Sequence, residues 1–550
     1  MAAVLSLMAA AGPQAHTTAG PGPEAAPARH ASQPAADADG CRATPHECAM
    51  FLIAREEYTA AIDTIQPVLA RAPRDLKALN LLGIALTGAG RIEDANARFR
   101  QALAIDSTFH PARKNLAVNE FHKGRLDRAR SLFQQVLAGV PQDEVAHVHL
   151  GEIEYARKRL AAALPHYEQS GARIMSNPAW MLHYASCLLN QGQTARALTV
   201  LDQLPSDDAA SRFEAGVALG HAGAYRDAAR FFGTARTGSR DPSAAGYNQT
   251  LMLVEAGDHE AAIRVAGELL REDVKSAELY SLVSRAFVAT GRIQEAYDAL
   301  RTAARLEPFA AQHYSDLALI CMDHENYDLG LEIVDIGLGY QPADATLHLH
   351  RGVLLVMKGM IEQAEPEFER ARTLTPDNPA PYVALAMAWM QSGRTERAVE
   401  LLRRQVATSR EAIVPYMLGI ALVRSGVDPA DAGGAEAIRA FEAAARLDPG
   451  LAGARGELGK ILLKRGDVQG AIAQLEKAVE LDPDNVAPAY SLAQAYRRVG
   501  RVDRAQELLA RVSTLNAQER GDDPNRELRR MVMRIVRKGS APANAAPQHP

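Results

Sequence analysis

The sequence predicts an all-α protein in which one helical hairpin is repeated along most of the chain. Three patterns indicate this: glycine recurs mostly every 34 residues, alanine follows many of these glycines five residues later, and proline ends many of the units. A period of this length is typical of solenoids, in which each unit buries its apolar face only against its neighbours. We therefore expect one continuous array rather than several unrelated domains.

The composition excludes several classes of protein. The chain has 550 residues, of which 47% are hydrophobic and 23% charged, values close to those of average soluble proteins. A single core does not grow to this length, which again favours several domains or an array. The formal net charge of −5 provides no global field for nucleic acid or anionic lipid, so we expect neither as a partner. Aromatic residues make up only 5%, which favours closely packed helices over sheets.

Both ends of the chain differ from the array. Residues 1–41 open with an apolar run, MAAVLSLMAAA, and continue as a Pro/Ala-rich linker. The run has the length of a signal peptide but lacks its basic start, so export to the periplasm, a disordered tail and a misplaced start all remain open, and the compartment is undetermined. It is too short to cross a membrane. Residues 520–550 contain a basic amphipathic stretch at 525–538 and then a disordered tail.

Each unit is expected to be a pair of antiparallel helices, A and B. Glycine permits the tight turn after helix A, alanine lets helix B approach closely, and proline ends helix B because it cannot continue the hydrogen-bond ladder. The turn glycines are Gly90, Gly124, Gly192, Gly223, Gly257, Gly291, Gly359, Gly393, Gly426, Gly466 and Gly500.

These marks resemble the tetratricopeptide repeat family, whose pattern is clearest in residues 345–377 and 452–485. About fourteen units are counted over residues 42–519, beginning near 42, 76, 110, 144, 178, 209, 243, 277, 311, 345, 379, 412, 452 and 486. The resemblance implies an α-solenoid, a right-handed superhelix of antiparallel helix pairs with a concave groove formed by the A helices. It also implies that protein or peptide partners bind in that groove.

Some units depart from the pattern. Glu56, Lys158 and Glu325 replace the turn glycine, and we expect looser turns there. Residues 427–434 are inserted between the helices of the twelfth unit and should form a bulging loop. The apolar stripe within residues 525–538 predicts a capping helix that covers the last unit.

A polar row along the groove is the first candidate binding site. Residues at the sixth position of successive A helices are mostly polar and could pair with an extended peptide backbone. The row comprises Asn115, His149, His183, Glu214, Asn248, Asp316, His350, Glu457 and Ser491. It resembles the asparagine ladder of O-linked N-acetylglucosamine transferases only at Asn115 and Asn248. A solvated row without a ligand is the alternative.

A basic patch in the last three units is the second candidate site. The patch consists of Arg424, Lys460, Lys464, Arg497 and Arg498. These cations could bind an acidic or C-terminal peptide through charge-assisted hydrogen bonds, with apolar support from Tyr416 and Tyr490. An ordinary solvated surface is the alternative.

No catalytic, cofactor-binding or metal-binding motif accompanies the repeats, and we expect no cofactor, no metal and no enzymatic activity. The four cysteines, Cys41, Cys48, Cys187 and Cys321, lack metal-ligand spacing. Cys41 and Cys48 could pair in an oxidising compartment, although Cys48 also fits a buried helix position. The sequence therefore predicts a non-catalytic scaffold or adaptor for protein partners. The alternative is a non-catalytic subunit of an enzyme or export/assembly complex whose catalytic chain is separate.

Overall fold

A computed structural model describes residues 44–272 and 276–518. The signal-like start, the linker, Cys41, the expected capping helix and the C-terminal tail lie outside the described residues. Those described residues contain 28 α-helices, one 3-10 helix and no strand, which confirms the all-α prediction. They fall into two compact bodies that divide near residue 274.

The first body contains seven helix pairs. Their helices are α1 Pro45–Ala54, α2 Tyr58–Arg71, α3 Leu76–Gly88, α4 Ile92–Ile105, α5 His110–His122, α6 Leu126–Gly139, α7 Glu144–Ala156, α8 Leu160–Gln169, α9 Pro178–Asn190, α10 Thr194–Leu201, α11 Ala209–His221, α12 Tyr225–Arg236, α13 Pro242–Glu255 and α14 His259–Arg271. Odd-numbered helices are the A helices. The 3-10 helix, Gly171–Ser176, joins α8 to α9.

The second body also contains seven pairs. Their helices are α15 Ala277–Ala289, α16 Ile293–Leu306, α17 Ala311–Asp323, α18 Tyr327–Tyr340, α19 Ala345–Met357, α20 Ile361–Leu374, α21 Pro379–Gln391, α22 Thr395–Val406, α23 Ile413–Arg424, α24 Ala432–Leu447, α25 Ala452–Arg465, α26 Val468–Leu481, α27 Val486–Arg498 and α28 Val502–Gln518.

The turn between helices A and B is left-handed in nearly every pair. The turn glycines have positive φ, for example 77° at Gly359, and open space surrounds the position where a Cβ would lie. The turns of Glu56, Lys158 and Glu325 are not looser, because these residues adopt φ values of 61°, 58° and 57°. The geometry of the hairpin therefore holds the backbone of these residues in the left-handed region of φ, which glycine adopts without strain.

Close packing within several pairs depends on a second glycine, in the middle of helix A. A Cβ at Gly352 would lie 2.5 Å from Cε1 of Phe368, and one at Gly419 would lie 2.5 Å from Cε1 of Phe441. Both rings are almost fully buried. The missing side chain on helix A thus makes room for a ring from helix B, which explains why these helices approach so closely.

The insertion in the twelfth pair is only partly a loop. Residues 427–431 connect the two helices, but Ala432–Gly434 form the first turn of α24. The Asp431 carboxylate accepts a hydrogen bond from the Gly434 amide at 2.8 Å and caps the helix. The expected bulge is therefore shorter than the insertion, because an N-cap residue within it starts the helix early.

Candidate functional site

The A helices form the surface on which the candidate residues lie. Within each body, most consecutive A helices contact each other directly, for example α7 and α9, α17 and α19, and α25 and α27. Each seam between two A helices is therefore lined by side chains from neighbouring pairs. Polar residues in such a seam can either bond to each other or face a partner.

Four members of the polar row are buried, namely His149, Asn248, His350 and Ser491. Asn248 donates a hydrogen bond to the Ala244 carbonyl at 2.9 Å, within its own helix. His149 and His350 are buried as well, and desolvation lowers the pKa of each imidazole to about 4. Both rings are therefore neutral at pH 7. Asn248, His149 and His350 do not present an open polar ladder at this surface.

Other members of the row join neighbouring A helices. Asn115 donates to Asn80 Oδ1 at 3.0 Å, linking α5 to α3. His183 remains partly exposed and donates from Nδ1 to the Glu152 carboxylate of α7 at 2.9 Å. The polar positions therefore serve the packing between repeats, a role that the sequence pattern did not reveal.

The basic patch lies at the surface, as expected from the sequence. Arg424, Lys464, Arg497 and Arg498 are exposed, whereas Lys460 is half-buried and donates to Glu457 Oε1 at 2.7 Å. Arg498 donates to the Leu463 carbonyl at 2.8 Å, and Leu463 precedes Lys464 in sequence. The structure thus brings the Arg498 guanidinium to the last turn of α25, while Arg424 lies on the preceding A helix.

Only one of the two expected tyrosines can support a ligand there. Tyr416 is buried and packs 6.1 Å, between ring centroids, from Phe441 of α24. This corrects the expectation for Tyr416, because helix B of the same pair covers its ring. Tyr490 is 49% exposed and lines an open apolar cleft of about 520 Å³ between α27 and α28.

A second cluster, in the seam between α7 and α9, was missed by the sequence reasoning. The Glu152 carboxylate accepts hydrogen bonds from the Tyr167 hydroxyl at 2.7 Å and from His183. The Tyr155 ring stacks on His183 with 4.0 Å between centroids, and Trp180 lies 6.1 Å from His149. Residues 149, 152 and 155 share one face of α7 at helical spacing, and 180 and 183 face them from α9. Below, this cluster is called the α7–α9 seam.

The negative charge of Glu152 affects neighbouring groups. Burial first, and then the nearby Glu152 carboxylate, raise the pKa of the Tyr167 hydroxyl far above its usual range. The same two causes raise the pKa of the Cys187 thiol to about 12. The pKa of Tyr155 is also raised, mainly by burial and in part by Glu152 and Glu214. Burial is the first cause at all three groups, so the seam keeps these two hydroxyls and the thiol protonated.

The described residues contain no cluster of three or more His, Cys, Asp or Glu that could hold a metal ion. Their helices are all too short or too polar to cross a membrane. Cys187 and Cys321 are buried free thiols, and Cys48 is disulfide-bonded.

Stacked helix pairs with left-handed turns define an α-solenoid repeat protein. A family model described as tetratricopeptide repeat matches residues 86–151, 154–219, 355–413 and 462–522. A second model with the same description matches residues 52–110, 251–311, 282–345, 315–379 and 433–486. Together they cover most of the chain, which therefore belongs to the tetratricopeptide repeat family.

Individual relatives are distant. Cellulose synthase operon protein C of Xanthomonas axonopodis pv. citri is 24% identical over 387 residues, 68% of this chain and 23% of that protein. The peroxisomal targeting signal receptor of Komagataella phaffii is 36% identical over 96 residues, 18% of this chain and 16% of the receptor. The chain thus spans less than a quarter of the length of these relatives. Yeast Tom70 is 17% identical with a TM-score of 0.39, covering 84% of this chain and 95% of that structure.

Proposed function

We propose that this chain is a non-catalytic scaffold that binds protein partners on the surface formed by its A helices. The family assignment supports this, since proteins built from stacked helix pairs commonly present extended binding surfaces. The described residues are occupied by the repeats, and polar and charged side chains gather in the seams between A helices. A binding role uses these features and requires no reactive group.

An acidic segment of a partner is the ligand we propose for the basic patch. The observation that carries this is the hydrogen bond of Arg498 to the last turn of α25, which also bears Lys464, with Lys464, Arg497 and Arg424 all exposed. Within the described residues none of these four cations has an acidic partner. Each exposed ion pair contributes only about 0.2 to 1 kcal/mol, so binding requires several pairs together and is weakened by salt. The exposed Tyr490 adds apolar contact.

The test is charge reversal at the patch. The variant Lys460→Glu/Lys464→Glu/Arg498→Glu should bind a fluorescein-labelled peptide with five glutamates at least on the order of tenfold more weakly than the parent protein. Its binding should also lose most of the salt dependence, both measured by fluorescence anisotropy. Capture of a native partner in pull-downs should weaken in parallel.

A matched control reverses three cations on B helices. Arg439, Arg446 and Lys477 are exposed on α24 and α26, so their replacement by glutamate changes the net charge equally. This control should bind the peptide more tightly than the patch variant. If both variants, folded by circular dichroism, bind like the parent at low and high salt, the basic patch is not the site. The partly exposed Asn115 and His183 then become the better candidates.

A role as the non-catalytic subunit of an enzyme or assembly complex is the second candidate. It is supported by the similarity of 68% of this chain to a part of Cellulose synthase operon protein C. Under this alternative the purified protein should bring down an enzymatic activity from its native cells, whereas an adaptor without an enzyme partner should not.

A further inference from the structure

Two glutamates are buried in the first body and a third, Glu152, is nearly so, and within the described residues only Glu152 of the three has no arginine or lysine partner. Glu120 is completely buried and lies within 3.7 Å of Arg100, Arg125 and Arg128. Glu154 is nearly as buried and pairs with Arg130 at 2.9 Å. The side chain of Glu152 is only 12% exposed, yet His183 and the Tyr167 hydroxyl are its hydrogen-bond partners within the described residues.

The three glutamates differ in their partners. The arginines that pair with Glu120 and Glu154 lie on helices B or in the turns that precede them, whereas Glu152 bonds to Tyr167 of α8 and to His183 of the next A helix. A carboxylate removed from water is unfavourable unless its charge is compensated. An imidazole and a hydroxyl hold the Glu152 carboxylate, and neither is a guanidinium or an ammonium group. A guanidinium from outside the chain can therefore give Glu152 the kind of partner that Glu120 and Glu154 have within it.

The side chains around Glu152 suit a flat cation. Phe121, Tyr155 and Trp180 are partly exposed, and each lies in ring contact with a histidine of the seam. Aromatic faces attract cations, and a guanidinium also stacks on them through its plane. The field of Glu214 on α11 reaches Tyr155 as well and has the same sign as that of Glu152.

We propose that the α7–α9 seam binds an arginine side chain of a partner polypeptide. The guanidinium donates to the Glu152 carboxylate and stacks against the rings of Tyr155 and Trp180. Arginine suits the site better than lysine because its planar fork matches both a carboxylate and an aromatic face. The charge of Arg173 in this chain also acts on His149. Arg173 already has interactions of its own within the chain.

This site differs from the basic patch in position and in the sign of its ligand. It lies in the first body, whereas the patch lies in the second, and it selects a cation rather than an acid. The two proposals therefore fail independently, since reversing charge at the patch leaves the seam unchanged.

Tryptophan fluorescence provides a direct test. The chain has two tryptophans, and Trp389 is buried in the second body. In a Trp389→Phe background, the fluorescence therefore comes from Trp180. Titration with a capped alanine pentapeptide that carries one arginine should give a saturable fluorescence change. The same peptide with citrulline, which has the shape of arginine without the charge, should not.

Two variants in that background complete the test. Glu152→Gln keeps an acceptor for Tyr167 and should weaken arginine-peptide binding at least on the order of tenfold. Glu168→Gln makes the same charge change on the exposed surface of α8 and should leave binding unchanged. Equal responses to arginine and citrulline, an absence of any response, or full binding by Glu152→Gln would each overturn the proposal.

A third variant covers the case in which Glu152→Gln does not fold. Tyr155→Leu keeps an apolar side chain but removes the aromatic face, and it should weaken binding about two- to fivefold. Its folding is checked by circular dichroism. Unchanged affinity in folded Tyr155→Leu would show that the seam does not hold the cation as described.

Discussion

The close contact between α25 and α26 can be tested by enlarging one alanine. Ala471 is completely buried in α26, and its backbone carbonyl oxygen would lie 3.3 Å from a Cβ added at Gly459 of α25. A leucine at position 471 adds three carbon atoms where the helices leave no room for them. Ala473 lies two residues away on the exposed side of the same helix and provides a matched control.

The expected cost follows from overpacking. Forcing extra methylene groups into a well-packed core costs typically about 1 to 3 kcal/mol, because side chains leave their rotamers and the backbone shifts. Alanine and leucine differ little in helix propensity, so Ala473→Leu should change stability by less than about 0.5 kcal/mol. The difference in stability between Ala471→Leu and Ala473→Leu therefore measures the effect of the helix contact at position 471, and not the general effect of replacing alanine by leucine.

Hydrogen exchange read by mass spectrometry is the suitable assay. Repeat arrays need not unfold in a single step, so a global midpoint averages over pairs that the mutation does not touch. Peptides from α25 and α26 should exchange about five- to 150-fold faster in Ala471→Leu, the range that corresponds to about 1 to 3 kcal/mol. Peptides from the first body should exchange at the parental rate.

The reasoning would be refuted by equal exchange in the two variants. Protection of α25 and α26 that is the same in Ala471→Leu, Ala473→Leu and the parent would mean that position 471 has room for a leucine. The register of the thirteenth pair would then be wrong, and with it the assignment of Lys460 and Lys464 to the A-helix surface.

Three further predictions concern titration, turns and thiols. Burial lowers the pKa of His350 to about 4, so the contribution of its neutral imidazole to the free energy of unfolding is fully present above pH 6.5 and is lost as the pH falls towards 4. In urea titrations between pH 7 and 4.5, His350→Gln should therefore lose less stability than the parent. Lys158→Gly removes left-handed strain and should raise the urea midpoint, with a net gain of about 0.5 to 1 kcal/mol; an unchanged or lower midpoint would contradict this. Burial raises the pKa of Cys187 to about 12 and of Cys321 to about 11, so iodoacetamide should label both far more slowly in the folded than in the unfolded protein.

The architecture could be predicted because every unit repeats the same local rules. Glycine, alanine and proline recur at fixed offsets, and the structure places helix ends close to the expected unit starts. The turns at Glu56, Lys158 and Glu325 were harder to predict. Their side chains disfavour a left-handed turn, and only the packing of the flanking helices shows that the turn is kept.

The candidate site was less accessible to sequence reasoning. Helical spacing identifies the face on which a residue lies, but it does not show how far a neighbouring repeat covers that face. His350 and Ser491 occupy the expected stripe and are nevertheless buried. The hydrogen bonds of Glu152 also escaped notice, because its partners lie 15 and 31 residues away in sequence. Pairing between side chains on different helices cannot be read from the repeat period of the sequence alone.

Within residues 44–272 and 276–518, the helices that pack closely are neighbours in the chain or are separated by one helix. A chain with such short-range contacts needs no distant segment in order to begin folding. Helices α1–α14 can therefore fold while residues 276–518 are still being synthesised, which takes roughly 10 to 50 s at common translation rates. During that time the α7–α9 seam is complete and the basic patch does not yet exist. If both proposed sites bind their ligands, a partner that carries an arginine can thus bind to the nascent chain before an acidic partner can.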